Sequence, residues 1–327
     1  MITILTLNRY KNTKRTIYYL LKFFFIFFKR KLFLDIESFF IELKYTGHPQ
    51  VVKSFVDGLN KLNIKYNLNP SKKKFFYSNV LVLSGIEELE YAIFLKKNKR
   101  IKKIFAGPNI AIFPSEFKSI FQRTEIDYIV TPSKWVSDYY KRDLPIIKNK
   151  LKELPSGIDL DYWKPKLNKK KYVLFYIKEH NINFKFKINQ YKKFLKNNSI
   201  KYKVLKYGSY NNRAYKKILE QSTISIFFSI SESQGFALFE SWSMGVPTLV
   251  YYNDEITVHN KKLKSETAPY LTKSTGMYFK NFEEFVKNFE YIQNNYDKFN
   301  TRLWVKDNMT DYKCSEKILD FCNGVKN

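Results

Sequence analysis

Only two of the 327 residues are cysteine, Cys314 and Cys322. That excludes a disulfide framework and any multi-cysteine zinc site, and makes a reducing, cytoplasmic setting the default. Histidine is as scarce: His48, His180 and His259 lie far apart and show no metal-ligand spacing. Glycine and proline, 10 of each, are too few for a collagen-like or low-complexity chain. A long hydrophobic run is missing as well. The most apolar stretch, Ile17 to Phe28, is interrupted by Lys22 and falls short of the ~20 residues that span a bilayer. No small-residue cleavage site follows it, which argues against a signal peptide.

What is present is 44% hydrophobic and 27% charged, a globular composition rather than a disordered one. The length corresponds to about two domains and is ample to bury cores without disulfide or metal staples. Lys and Arg number 58 against 30 acidic residues, a net charge of +28. Such an excess points to nucleic acid, anionic lipid or a phosphorylated substrate. It is overwhelmingly lysine, however, beside abundant Asn, Phe and Tyr, residues that share AT-rich codons; a solvated lysine surface is the plain alternative. A nucleic-acid module would favour arginine, which is scarce here beside lysine, so nucleic acid is not the expected partner. Thr16 to Leu34 combines aromatics with Lys22, Lys29, Arg30 and Lys31. That composition suits a segment lying in an anionic membrane interface, peripheral to the inner face; a core-packing helix or strand is the other reading.

From Asp35 onward, strand-like and helix-like segments alternate, as in a parallel sheet. Ile36 to Tyr45, Asn79 to Leu83, Ile101 to Ala106, Asp127 to Thr131 and Leu151 to Leu154 read as strands. Val51, Val52, Phe55, Val56, Leu59 and Leu62 form a helical stripe; further helices run over Glu87 to Lys97 and, capped by Ser133, through Trp135 and Tyr139. The polar stretch Asp159 to Lys171 reads as a linker. A second alternation follows: strands at Tyr172 to Ile177, Tyr202 to Lys206, Ile224 to Ile230 and Val246 to Tyr252. Its helices are expected at Ile188 to Lys196, from Gly208 to about Gln221, from Gly235 to Met244 with Gly245 as a left-handed stop, and at Asn281 to Tyr296 and Asp311 to Phe321. The division is a first α/β domain at 1–165, with a basic, aromatic extension at 1–34, and a second at 166–327.

Ligands of open α/β sheets bind beyond the carboxyl ends of the strands. The unit from Ile224 to Met244 offers such a place. Its loop carries Glu232, and its helix start presents free N–H groups around Gly235 and Phe236, suited to phosphate or sugar hydroxyls. Glu240 stands in a helix that is otherwise apolar or small, so its carboxylate must face solvent, be paired, or meet a ligand. A salt bridge to a lysine is the structural alternative.

The run Glu232-Ser-Gln-Gly-Phe-Ala-Leu-Phe-Glu240, followed by Gly245-Val246-Pro247-Thr248, resembles the E-x7-E signature of retaining glycosyltransferases of family 4. Pro132-Ser133-Lys134-Trp135 is similar to their segment before the last helix of the N-terminal domain. Gly157-Ile158-Asp159, with Trp163 and Pro165, is similar to their interdomain linker. The resemblance covers about residues 36 to 300. It implies the GT-B fold: two Rossmann-like parallel-sheet domains facing a central cleft. It also implies transfer of a sugar from a nucleotide-diphosphate sugar to a hydroxyl acceptor on a glycan, glycolipid or related molecule.

By the same resemblance, Glu232 meets the donor sugar, Gln234, Gly235 and Phe236 belong to the donor-binding loop, and Glu240 binds the ribose. Lys178 holds the donor phosphates and takes part in catalysis, with Lys185 the second choice; family members usually show Arg followed by Lys there. Tyr207 and Gly208 fall at the nucleobase, and Gly47 in the first loop near the phosphates. Asn109 takes a catalytic-site position where many members have His. A nucleotide-sugar epimerase of the same fold, a silent sugar-binding module and a nucleic-acid-binding protein are the alternatives. No cofactor or metal is expected, since lysine and helix N-termini neutralise the departing diphosphate. Sugar transfer should therefore continue in EDTA; loss of activity restored by manganese would overturn that expectation.

Overall fold

The structure, a computed structural model, describes residues 1–7, 47–71, 76–166, 171–178 and 182–324, with the side chains of 182–187 left aside. The strand expected at Ile36 to Tyr45 and the segment Thr16 to Leu34 lie outside these residues.

The first half runs β1 (Ile2–Leu5), α1 (His48–Lys61), β2 (Tyr66–Leu68), β3 (Asn79–Ser84), α2 (Ile86–Lys97), β4 (Lys103–Asn109), β5 (Tyr128–Thr131), α3 (Lys134–Asp143) and β6 (Leu151–Glu153). Its sheet has the order β2-β1-β3-β4-β5-β6, and every neighbouring pair is parallel. Residues along β3 alternate between two cores. Val80 and Val82 pack on one face with Leu89 and Ile93 of α2. Leu81 and Leu83 pack on the other with Val51, Phe55 and Leu59 of α1. This is the two-sided burial that makes parallel strands read as continuous apolar runs.

One expectation needs correction here. Within the basic, aromatic extension expected at 1–34, Ile2 to Leu5 are wholly buried and form a strand between β2 and β3. The run ITIL is too short to stand out beside the longer apolar segment after it, yet its β-branched residues suit a strand covered on both faces.

The second half contains β7 (Tyr172–Ile177), α4 (Ile182–Asn197), β8 (Tyr202–Lys206), α5 (Asn212–Leu219), β9 (Ser222–Phe228), α6 (Phe236–Ser243) and β10 (Thr248–Tyr251). Then come a hairpin of β11 (Glu255–Val258) and β12 (Lys261–Lys264), β13 (Gly276–Phe279), α7 (Phe282–Asn294), α8 (Thr301–Asn308) and α9 (Asp311–Asn323). The main sheet has the order β13-β10-β9-β7-β8, again all parallel. The hairpin, β13 and α8 were not anticipated. His259 and Asn260 both have positive φ at the hairpin turn, the geometry that matches strand twist in a two-residue connection. Val258 and Leu263 of this hairpin reach across to the core of the first half. Among the described residues, no helix is long and apolar enough to cross a membrane.

The halves are joined by close backbone packing. Ile158 N donates to Met309 O at 2.8 Å, and Asp311 N donates back to Ile158 O at 3.2 Å. α9 then lies along α1, with Ile318 and Phe321 in the core beneath the first sheet. A Cβ on Gly157 would stand 2.3 Å from the backbone of Thr310 and Asp311, and one on Gly58 2.3 Å from Asp311 O. The start of the expected linker is likewise packed rather than loose: Trp163 is buried, and Arg302 donates to the carbonyls of Trp163 and Leu160.

A Cβ at Gly58 would meet the Ser315 hydroxyl at 2.1 Å and the Asp311 backbone at 2.3 Å, and the backbone cannot yield as a flexible side chain would. Gly58→Ala should lower stability by about 1–3 kcal/mol, the usual range for overpacking. Thermal unfolding measures this, and an unchanged Tm would mean that α1 and α9 are less tightly seated.

Candidate active site

In the second sheet, β7 and β9 are neighbours while the chain between them leaves for β8 at the edge. The strand order reverses at that point, which opens a crevice at the carboxyl ends of these strands. Lys178 follows β7 directly, and its N–H donates to Phe228 O at the end of β9 (2.9 Å). Its Nζ donates to Glu232 Oε2 at 2.7 Å. The other carboxylate oxygen, Oε1, accepts from Ser229 Oγ at 3.2 Å. Tyr207, at the end of β8, places its ring 5.2 Å from Lys178 Nζ, and Gly208 turns the chain with φ 75°. Lys178, Glu232, Tyr207 and Gly208 are thus brought to one crevice.

Gly235 opens α6 in the left-handed region, φ 90° and ψ 56°. A Cβ there would meet mainly the flexible end of Leu238, at 2.9 Å, so the backbone angle rather than space demands glycine. The first bonds to the helix start run from Leu238 and Phe239 to Gly235 O. The N–H groups of Phe236 and Ala237 consequently have no partner among the described residues, and are available as ligand donors.

Glu240 is 6% exposed. Among the described residues its carboxylate has neither hydrogen-bond nor ion-pair partner, and desolvation pushes its pKa well above the ordinary carboxylate value. Of the three states open to it from sequence, the salt bridge is not formed among the described residues, and little of the side chain faces solvent. Tyr210 and Tyr215 lie near enough to feel its charge. Tyr176 and Tyr210 share a hydroxyl–hydroxyl bond of 2.7 Å, and Tyr215 donates to Ala237 O at 2.8 Å. Desolvation first, then the charges of Glu240 and, more weakly, Glu232, push Tyr210 up.

Gln234 departs from expectation. Its side chain does not open into the crevice: Oε1 accepts from Ser156 N at 2.8 Å and Nε2 donates to Ser156 O at 2.6 Å. This buried amide ties the loop to the first half. Trp135 does the same from α3, its Nε1 donating to Glu232 O at 2.9 Å. Sequence reasoning missed the parts played by Ser229, Ser156, Trp135 and the tyrosines. Only Ser229, directly after the apolar run of β9, carried a positional signal.

In the first half, the reversal of strand order lies between β1 and β3. Thr6 Oγ1 and Ser84 Oγ are hydrogen-bonded there at 2.8 Å, and Ser84 stands opposite Asn109. The Nδ2 of Asn109 is buried without a partner. Gly47 precedes α1 with φ 63° and open space beside it. No hydrogen bond or ion pair joins Gly47 or Asn109 to the Lys178–Glu232 pair among the described residues. Lys185 lies in α4, its side chain outside the described residues. No group of three or more His, Cys, Asp or Glu is placed to hold a metal ion among the described residues.

No family model matches this chain, and no curated protein matches its sequence. Solved structures do match. A glycosyltransferase from Rickettsia africae ESF-5 aligns over 99% of this chain and 98% of its own, at TM-score 0.54 and 12% identity. Two looser likenesses carry no further weight. They are the sucrose-phosphate synthase of Thermosynechococcus elongatus, at TM-score 0.49, 9% identity and 86% and 79% coverage, and the catalytic domain of starch synthase IV from Arabidopsis thaliana, at TM-score 0.48, 9% identity and 85% and 77% coverage. At such identities the likeness concerns architecture. The chain has the GT-B fold, as its two parallel-sheet halves and its coverage of the first neighbour show.

A carboxyl with a raised folded-state pKa binds its proton more tightly in the native state than in the unfolded chain. Stability therefore falls as pH rises from the unfolded value near 4.5 through the folded one. Glu240→Gln removes that loss. Its Tm should exceed wild type at pH 7.5, by about 2–4 °C per kcal/mol recovered in a domain of this size. The gap should close toward pH 4.5. Calorimetry across pH checks this, and a Tm below wild type at pH 7.5 would reveal a partner for the carboxylate.

Proposed function

We propose that this chain is a retaining glycosyltransferase of the family-4 type, taking a sugar from a nucleoside diphosphate and passing it to a hydroxyl acceptor. The observation that carries the reading is Glu240. A buried carboxylate with no protein partner is costly, and it stands beside the crevice where Lys178 and Glu232 meet. Two vicinal ribose hydroxyls would supply the donors that Glu240 lacks. The likeness in architecture to a glycosyltransferase from Rickettsia africae ESF-5 agrees with this reading.

In the free protein, Lys178 is neutralised by Glu232. A donor diphosphate entering the crevice offers the ammonium a doubly charged partner and releases Glu232 Oε2 to accept from a sugar hydroxyl. The exposed N–H groups of Phe236 and Ala237 complete the cradle, aided by the positive end of α6. Transfer breaks the bond between the anomeric carbon and the leaving phosphate oxygen, and negative charge grows on the diphosphate. Lys178 and the start of α6 are already in position to stabilise that charge, so no reorganisation is needed at the moment of reaction. The acceptor oxygen forms its bond on the same face, and its proton passes to the departing phosphate. Configuration is retained.

Lys178→Ala should lower turnover by roughly 10²–10³, the usual loss for one preorganised donor, and weaken donor binding less, because the interaction strengthens as charge develops. Lys178→Arg should recover part of the rate, since charge remains but the compact ammonium does not. Steady-state transfer from a panel of nucleotide sugars, with calorimetric binding of the matching nucleoside diphosphate, measures both. Wild-type kinetics in Lys178→Ala would place this lysine outside the reaction, and sugar turnover independent of any acceptor would point to an epimerase instead.

A further inference from the structure

Both main-chain groups of Glu232 are engaged. Its carbonyl accepts from Trp135 Nε1 on α3 at 2.9 Å, and its N–H donates to Glu266 O at 2.8 Å. Two residues earlier in the same loop, Ile230 O accepts from Asn253 Nδ2 at 3.0 Å. Asn253 and Glu266 flank one element, the hairpin of β11 and β12. Ser265 N donates to Asp254 O at 2.9 Å, so the hairpin closes on itself at its root. That root therefore holds the loop that carries Glu232.

The far end of the hairpin lies on the first half. A two-stranded hairpin is marginal in water by itself. This one turns Glu255, Thr257, Lys262 and Lys264 to solvent and half-buries Ile256, Val258 and Leu263. Val258 and Leu263 pack against the core that includes Phe113. At the turn, His259 sets its ring 5.6 Å from that of Phe113, and Lys261 Nζ lies 5.0 Å from the same ring. Lys262 pairs with Glu255 and Lys264 with Asp254, so these charges stay on the hairpin's own segment. The seat is apolar and aromatic. Phe113 in turn meets Tyr139 of α3 edge-on, one helical turn from Trp135. The contacts close a ring: from Glu232 O to Trp135, along α3 to Tyr139 and Phe113, and through the hairpin and Glu266 back to the Glu232 N–H.

We propose that this hairpin is a strap through which the first half sets the position of Glu232, with Phe113, Val258 and Leu263 as positioning residues that act through the loop backbone. The Glu232 carboxylate has Lys178 and Ser229 as its side-chain partners among the described residues. A donor diphosphate that draws Lys178 away leaves the carboxylate aimed by Ser229 and by its own main chain, and the strap fixes that main chain. Misplacing a reacting group by about 1 Å costs on the order of 10²-fold in rate. That the carboxylate then meets a sugar rests on the function proposed above; the hold on the loop does not.

The test replaces residues 255–264 by two glycines in the full chain, which leaves Asn253 and Glu266 in place. The double variant Val258→Ser, Leu263→Ser serves where that excision prevents folding, and Val258→Ile is the conservative control. Amide hydrogen exchange over residues 230–233 should quicken roughly tenfold or more in the excision and serine variants, while β9 and α6 exchange as in wild type. Calorimetric affinity for uridine, guanosine or adenosine diphosphate, whichever wild type binds, should be unchanged or tighter, because Lys178 and Glu240 remain. Turnover of the matching nucleotide sugar should fall by roughly 10–10²-fold. Val258→Ile should match wild type in all three. Wild-type exchange at 230–233 in a folded excision or serine variant would overturn the proposal, and so would nucleotide affinity that falls in step with turnover. If none of these nucleotides binds wild type, the sugar-transfer reading fails, and the exchange rates still decide the strap.

Discussion

The contact on which the molecule depends is one between backbones. Thr310 and Asp311 lie against Gly157 and Gly58 at a distance that leaves no room for a β-carbon. Two hydrogen bonds of Ile158 fix the same junction. Beyond it α9 covers the first sheet, so the last helix of the chain completes a core begun by the first strand. Lys61 adds charge to this junction by reaching both Asp311 and Asp159, but Lys61 is partly solvated and ion pairs of that kind are weak. Steric fit sets the register of the halves. The cross-links at the crevice, from Trp135 to Glu232, from Gln234 to Ser156 and from Tyr270 to Pro132, are made within that register.

Within the crevice, two glutamates eight positions apart live under different physics. Glu232 sits on a loop where lysine, serine and solvent all reach it, so it stays an ordinary ion-pair partner. Glu240 sits one helical segment further on, between the buried Phe239 and the fully buried Trp242, where no cation can follow. Core packing on the same helix, with Trp242 Nε1 bonded to Thr248 Oγ1 at 3.0 Å, holds the carboxylate in this unfavourable place. Destabilisation of this type persists only where the surroundings over-determine it, and it concentrates at functional sites.

Much of this arrangement was legible in the amino-acid sequence. Tyr172 to Ile177 and Tyr202 to Lys206 were read to the residue, because apolar or alternating strand runs there are bounded by charge and glycine. α6 was read within a residue at each end, because Gly235 and Gly245 mark both ends. Short elements escaped. β1, β2, β13 and the hairpin have only three or four residues each, too few for a period to show. At the site, sequence named Lys178 and Glu232, which the structure brings together, but it did not show that Gln234 turns to Ser156, since neighbourhood along a loop does not say which way a side chain turns. Ser133 shows the same limit. It occupies the cap position of α3, yet its hydroxyl makes no capping bond and is buried unpaired.

The loop bearing Glu232 is held from outside its own half on two sides, by the indole of Trp135 and by the backbone of Ser156. The crevice is therefore a joint product, although each of its charged groups belongs to the second half. Exchange of halves between two chains of this architecture, by recombination or by design, cannot treat the sheet boundaries as free joints. An indole donor and a main-chain amide–carbonyl pair placed like that of Ser156 must travel with the incoming first half. Without them the transplanted second half carries a glutamine whose amide is desolvated on both ends, and a loop whose catalytic candidate has lost its anchor. The unit of inheritance is larger than the unit of folding.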